Sequence, residues 1–382
     1  MKPALKIGRG ERSGTPSSGF DLEEVLFRAK RGEALNREEI GFFLDLEDDA
    51  GLDRLFQTAR EIRSRCFEDS VFLYGFVYFS TWCRNDCTFC LYRRSNLLAR
   101  RYRKSAEEIL EIALRQAESG VHLIDLTMGE DPFFDQAGAG ADELLDLVER
   151  TKVETGLPVM ISPGVVSRER LQELSEAGAD WYACYQETHN PELFRELRPD
   201  QDFHRRLAAK IEARRLGMLI EEGILTGVGD SSADILASLE AMRSLGAHQL
   251  RVMTFVPQRG TPMGRTSPPT SRRELVTIAL MRLLFPDRLI PASLDVGGIK
   301  GLQDRLLAGA NVVTSLIPPR TGLVGVSQSV LDVEEGYRTV GGVRAVLERM
   351  GLKTARAGEY GLWIARERAR KESRQLETGK IP

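Results

Sequence analysis

No run of about eighteen apolar residues occurs in the 382-residue chain, so no segment is suited to cross a bilayer as a helix. Nor do the basic residues at the N-terminus lead into an apolar stretch, which argues against a secretory leader. Net charge is also missing. Fifty-three basic against 56 acidic residues leave −3, too little for wholesale electrostatic attachment to nucleic acid or an anionic membrane. The four histidines, His122, His189, His204 and His248, fall at no metal-ligand spacing and read as structural, although His189 borders Glu187-Thr188. The Gly-Lys-Ser/Thr of a phosphate-cradling loop is absent, and Val296-Gly297-Gly298-Ile299-Lys300-Gly301 reads as a turn whose amides open a helix. Cysteine is scarce, and three of the five crowd into one loop, which suits a reducing cytoplasm better than a disulfide framework.

What is present is a regular alternation of strand and helix patterns over a 42% hydrophobic composition, enough for a sizeable core. Residues 1–19, rich in Gly, Ser and Lys, read as a disordered N-terminus. Residues 20–68 read as N-terminal helices packed on the following domain, with Asp21/Glu24 and Asn36/Glu39 as cap and third-residue pairs. Leu52, Leu55, Phe56, Ala59, Ile62 and Cys66 make a helical stripe on which Cys66 acts as a small buried hydrophobe. Over 69–350, strands are expected at 71–80, 122–127, 158–162, 180–185, 218–226, 248–255, 288–294 and 311–315. Helices are expected between and after them at 105–119, 141–154, 167–177, 203–216, 231–245, 271–283, 300–308 and 336–350. Several strands are almost continuously apolar, as parallel strands covered on both faces should be. Eight such units predict an α/β fold: a (β/α)8 TIM-type barrel of parallel strands with an N-terminal helical extension, and 351–382 as a C-terminal helical tail. Chemistry in such a barrel belongs at the C-terminal ends of the strands.

The loop at the end of the first strand carries Cys83, Cys87 and Cys90 as Cys-x3-Cys-x2-Cys. So short a loop lets three sulfurs turn inward on one inorganic centre. A structural zinc site closes with four protein ligands and would need a distant fourth here. Three thiolates on a four-iron cluster leave one iron open to an exogenous ligand, and an open position suits catalysis. The spacing resembles the signature of the radical S-adenosylmethionine enzymes, in which six-unit open barrels are the commoner form. The resemblance implies two cofactors, a 4Fe-4S cluster and S-adenosyl-L-methionine chelated to its open iron. It further implies reductive cleavage to methionine and a 5′-deoxyadenosyl radical, with an electron donor such as flavodoxin or ferredoxin.

Within that resemblance, Asp125-Leu126-Thr127-Met128-Gly129-Glu130 stands where relatives carry a Gly-Gly-Glu-like stretch whose acid holds the cofactor's ammonium, with Met128 replacing the first glycine. Its plain alternative is a strand-to-loop turn with a solvated acid. Glu187-Thr188 and Arg206 look like the Glu-Thr…Arg arrangement that contacts the cofactor's amino acid end, Arg205 being the alternative to Arg206. A zwitterion wants one carboxylate and one guanidinium, and the planar fork of arginine suits a carboxylate. Phe89 resembles the aromatic packed near the adenine; its alternative is simple loop packing.

The expected substrate side holds Arg251 in an apolar strand, Ser293 and Asp295 at the end of another, and Asp125 at the end of a third. A buried arginine needs a partner. Arg251 and Ser293 on a carboxylate, with Asp125 and Asp295 on amines, would bind a small diamino acid; the alternative is an internal Arg251–Asp295 salt bridge. Arg93, Arg94, Arg100, Arg101, Arg103 and Lys104 form a basic run that reads as a solvated loop rather than a nucleic-acid contact.

Tyr74 to Thr81, Tyr92-Arg93-Arg94-Ser95-Asn96 and Leu126 to Pro132, together with Arg251, Ser293 and Asp295, resemble the methylornithine synthases of the pyrrolysine pathway over roughly 70–330. That resemblance implies a radical isomerase that converts L-lysine to (3R)-3-methyl-D-ornithine by abstraction, fragmentation and recombination; the chain is expected to be a cytoplasmic monomer. Biotin synthase-like sulfur insertion competes poorly, because only Cys66 and Cys184 remain for a second cluster. A hydrogenase-maturase-like activity on another small amino acid, and a zinc-stabilised RNA-binding protein, are the further alternatives.

Overall fold

The computed structural model describes residues 20–135, 138–327 and 333–378. The disordered stretch expected over 1–19 lies outside them. Three helices come first, α1 (Leu22–Lys30), α2 (Arg37–Leu44) and α3 (Asp49–Phe67). The barrel opens with β1 (Ser70–Ser80), α4 (Ala106–Ser119), β2 (Leu123–Met128), α5 (Pro132–Asp135), α6 (Ala139–Thr155), β3 (Val159–Ser162) and α7 (Arg168–Glu176). It continues through β4 (Trp181–Ala183), α8 (Pro191–Leu197), α9 (Phe203–Arg215), β5 (Leu219–Thr226), α10 (Ser232–Leu245), β6 (Gln249–Thr254) and α11 (Arg272–Leu284). It ends with β7 (Pro291–Ser293), α12 (Gly298–Leu307), β8 (Val312–Leu316) and α13 (Val340–Arg349), followed by β9 (Lys353–Thr354) and α14 (Glu359–Thr378).

The eight main strands run parallel in the order β6-β5-β4-β3-β2-β1-β8-β7, with β9 paired beside β1. Among the described residues the β6–β7 seam is joined by one bridge, Gln249 to Leu289, so the barrel is nearly closed. Every residue of β1 is buried, because one face meets the barrel interior and the other meets helices. The helix starts follow from local chemistry. Ser105 and Glu108 form a reciprocal capping box on α4, and Gly120 ends it in the left-handed conformation at φ 92°. Asn36 and Glu39 do the same for α2, whereas Asp21 caps α1 through Glu23 N alone.

Two strands are shorter than their apolar runs. β7 starts at Pro291, which cannot donate to the ladder, and β4 stops at Ala183 as the chain turns toward the positive φ of Glu187. The helix α8, absent from the sequence expectations, has Asn190 as its cap and Pro191 in its first turn. Cys66 is half-buried at the edge of the lower core.

That lower core fills the strands' N-terminal end and is roofed by α14: Trp181 stacks on Trp363 at 5.9 Å, and Trp363 on Tyr360 at 6.3 Å. With this end plugged, open space remains at the opposite one. No helix among the described residues is long and apolar enough to cross a membrane.

Candidate active site

A cavity of about 1340 Å³, counting its open mouth, lies at the C-terminal ends of the strands. Its walls include Cys83, Cys87, Cys90, Phe89, Glu130, Glu187 and Arg206, and its floor Asp125, Arg251 and Asp295. Ser293 is buried behind the wall, where its Oγ accepts from Asp295 N at 3.3 Å, and Ser315 takes the lining position.

The cysteine loop is held by its own basic run. Arg93 pairs with Asp86 at 2.8 Å and holds that carboxyl well below its usual range. Arg101 donates to the carbonyls of Arg93 at 2.6 Å and Tyr92 at 3.0 Å. Arg103 grips buried Asp131 with two bonds of 2.9 Å, and Asp131 also accepts from Ser80 at 2.6 Å. Lys104 pairs with Glu108 at 2.8 Å. The expectation of a solvated basic loop is therefore corrected in part: Arg93, Arg101 and Arg103 brace the loop, while Arg94 and Arg100 are exposed and Arg103 keeps one exposed side. Opposite, a side chain at Gly129 would sit 2.1 Å from Trp82 O, so only glycine lets this segment approach the loop.

Burial pushes the Cys83 thiol up to about 11 and the Cys90 thiol higher still. Two donors aim at Cys87 Sγ, Gln201 Nε2 at 3.1 Å and Arg198 Nη1 at 3.4 Å. Among the described residues no three His, Cys, Asp or Glu side chains form a site for a single metal ion.

Beside the thiols, Arg206 reaches from α9 to Glu130 Oε1 at 2.6 Å and Cys184 Sγ at 2.8 Å. The neighbouring Arg205 is exposed, which settles which of the two lines the cavity. Burial opposes ionisation of Glu130, but Arg206, Asn85 and Arg84 outweigh it and hold the carboxyl low. Glu187 adopts φ 68°, rare for a residue with a side chain. The strain is held by neighbours: Gln186 N donates to Glu222 Oε1 at 2.8 Å, and buried Lys210 binds both Glu222 and the Gln186 side chain. Glu187 Oε1 accepts from Arg198 at 2.7 Å, while Oε2 is buried without a partner among the described residues. Burial raises the Glu187 pKa despite Arg198 and Arg206.

On the floor, the Arg251–Asp295 salt bridge does not form. Arg251 Nε donates to Glu221 Oε1 at 2.7 Å and Nη1 to Thr314 at 2.9 Å, whereas Asp295 accepts from Arg338 at 2.8 Å and Ser315 at 2.6 Å. Asp125, bonded to Thr127 at 2.8 Å, has a pKa pushed up to about 7, first by burial and then by Glu221. Sequence reasoning missed Glu221, Arg198 and Arg338. Glu221-Glu222 inside an apolar strand was the signal for the first, the same anomaly that marked Arg251. Arg198 and Arg338 sit in loops with no comparable contrast.

The radical SAM superfamily model matches residues 77–248. The barrel with its three-thiol loop is that of a radical S-adenosylmethionine enzyme, whose cofactors are a 4Fe-4S cluster and S-adenosylmethionine. The chain is 43% identical over 340 residues to the 3-methylornithine synthase of Methanosarcina acetivorans, covering 89% of this chain and 96% of that one. A crystal structure of methylornithine synthase superposes with a TM-score of 0.84 at 42% identity, over 89% of this chain and 99% of that one. The FeFe hydrogenase maturase subunit HydE of Thermotoga maritima is 33% identical over 293 residues, covering 76% and 82%. The chain belongs to the 3-methylornithine synthase family.

The residues present fit the two cofactors. The three cysteine sulfurs share one loop at the cavity mouth, and two N–H donors converge on that of Cys87. Glu187 Oε2 and Arg206 Nε, both buried and unpartnered among the described residues, offer an acceptor and a donor beside it.

Proposed function

We propose that the chain is an isomerase that converts L-lysine to (3R)-3-methyl-D-ornithine, the first step of pyrrolysine biosynthesis, as a monomer in the reducing cytoplasm. The observation that carries the reading is one cavity with two chemically different ends: three thiols and a Glu187/Arg206 pair at the mouth, and one guanidinium facing two carboxylates at the floor. The family relationship over nearly the whole chain supports that reaction for such a cavity.

Cys83, Cys87 and Cys90 would hold the cluster. Glu130, Glu187 and Arg206 would take the amino acid end of S-adenosylmethionine, with Phe89 against the adenine. With both bound, and an electron from a flavodoxin or ferredoxin, the cofactors supply a 5′-deoxyadenosyl radical for hydrogen abstraction. The remaining work belongs to the chain. Arg251 receives the substrate carboxylate, and Asp125 and Asp295 receive its ammonium groups. Ser293 acts through Asp295, whose backbone it holds. The apolar walls around Leu225, Met253 and Phe255 keep water from reactive fragments.

The test is anaerobic incubation of the iron-loaded protein with S-adenosylmethionine, dithionite and L-lysine, followed by chromatography and mass analysis. The expected product has the mass of lysine but a different retention and fragmentation. A product of altered mass, or 5′-deoxyadenosine formed with lysine unconsumed, would overturn the reading.

A further inference from the structure

Among the described residues Arg251 is the only cation that lines the cavity floor, yet little of its orientation comes from the floor itself. Its Nε is taken by Glu221 at 2.7 Å and its Nη1 by Thr314 at 2.9 Å, which leaves Nη2 without a partner among the described residues. Glu221 is fully buried, and its two oxygens accept three hydrogen bonds: Oε1 from Arg251 and from Gln249 Nε2 at 2.7 Å, Oε2 from Tyr185 at 2.8 Å. The Tyr185 ring lies 5.5 Å from the Arg251 guanidinium and is seated on Gly223, where a side chain would meet it at 2.8 Å. Below, Gln249 Oε1 accepts from Tyr74 at 2.9 Å, and Tyr74 shares a 2.7 Å contact with Tyr360 of the C-terminal helix. A continuous chain of buried hydrogen bonds thus runs from the barrel plug to the cavity floor.

We propose that Glu221 is a positioning residue for the substrate site: anchored through Gln249, Tyr74 and Tyr360, it locks the Arg251 fork so that Nη2 is the nitrogen presented to an amino acid carboxylate. The inference rests on the reading that Arg251 binds that carboxylate. Glu221 touches no substrate in this scheme. It acts through Arg251 and Tyr185, and it fixes the charge that Asp125 feels.

Asp125 on β2 faces Glu221 on β5, Arg251 on β6, Asp295 after β7, Tyr74 on β1 and Tyr185 after β4. Its carboxyl titrates near 7, raised by burial and next by the Glu221 charge. A substrate ammonium binds the ionised form, so affinity should rise with pH through about 7 and level off above it. Removing the Glu221 charge lowers the Asp125 pKa and moves that rise to lower pH.

The experiment measures calorimetric binding of L-lysine to the anaerobic holoenzyme with S-adenosylmethionine, between about pH 5 and 8. Glu221→Gln is expected to weaken L-lysine binding about ten- to hundredfold, the scale seen when the group behind a ligating side chain is lost. The midpoint of the pH dependence should fall, while iron content and S-adenosylmethionine affinity stay within about twofold of wild type. Unchanged L-lysine affinity and midpoint in Glu221→Gln, with binding lost in Arg251→Ala, would overturn the inference alone. Unchanged affinity in Arg251→Ala would instead remove the reading beneath it. Should Glu221→Gln fail to load iron, Tyr185→Phe removes one bond from Glu221 and should weaken L-lysine about fivefold; no change there would also overturn the inference.

Discussion

Arg198 donates from Nη2 to Glu187 Oε1 at 2.7 Å, and this bond joins the thiol loop to the strained segment after β4. The same guanidinium lies 3.4 Å from Cys87 Sγ and 5.4 Å from the Phe89 ring centre, so one cation touches three parts of the proposed cofactor site. Replacing it should therefore disturb cofactor binding without touching the floor. Arg198→Met leaves Glu187 buried beside fewer cations, a loss of about 3–5 kcal/mol for a broken buried pair. Urea unfolding should show the loss, and S-adenosylmethionine affinity should fall while L-lysine contacts stay intact. Wild-type cofactor affinity in a destabilised Arg198→Met protein would reduce the residue to a structural strut.

The cysteines separate cleanly by place. Cys83, Cys87 and Cys90 line the cavity mouth, Cys184 lies deeper against Arg206, and Cys66 packs at the opposite end. Alanine at any of the first three should abolish iron loading and 5′-deoxyadenosine formation. Cys66→Ala and Cys184→Ala should keep the iron and the visible absorbance of the cluster. Retention of both by Cys87→Ala would break the assignment.

The barrel was legible in sequence because its strands are apolar runs bounded by capped helices, and both patterns are local. The Ser105/Glu108 box and the terminal Gly120 bracket α4 within a residue of expectation. The thiol loop and Arg251 were legible for the same reason: each is a local contrast with its surroundings. Which group answers which is not local. Asp295 stands 44 positions from Arg251 and was the expected partner, but the β5–β6 pairing brings Glu221 to Arg251, and the chain beyond β8 brings Arg338 to Asp295. The bracing role of Arg93, Arg101 and Arg103 was hidden likewise, since Arg101 binds backbone carbonyls that no sequence pattern marks.

That bracing is open to a direct test at Arg103. Asp131 is 1% exposed and takes both of its cationic bonds from this one side chain. Arg103→Met should cost about 3 kcal/mol through the stranded carboxylate. Because Asp131 also holds Ser80 at the start of the thiol loop, the cluster should become labile to chelators at a rate well above wild type. Arg103→Lys keeps the charge but not the fork and should restore only part of the stability. Equal chelator resistance in all three proteins would detach the basic run from the cluster.

Asp125 on the substrate floor is also readable in the protein's stability. Asp125 is buried among like charges, and its pKa near 7 stands above the ordinary carboxylate value of 3.8. A folded-state pKa above the unfolded one means that folding favours the protonated form. The native state therefore loses stability as pH rises from the unfolded pKa to the folded one. Asn at this position mimics the neutral acid. Asp125→Asn should thus raise the unfolding free energy by nothing below about pH 4, by a growing amount up to about 7, and by a constant of at most about 4 kcal/mol above that. Urea titrations across this range read the curve directly. The same variant should bind L-lysine more weakly at every pH above 7, since the carboxylate that answers an ammonium is gone. Stability gained and substrate lost in one substitution would mark a group kept for binding at a cost to the fold. A variant less stable than wild type at pH 8 would show that Asp125 is ionised and fully compensated in the folded protein.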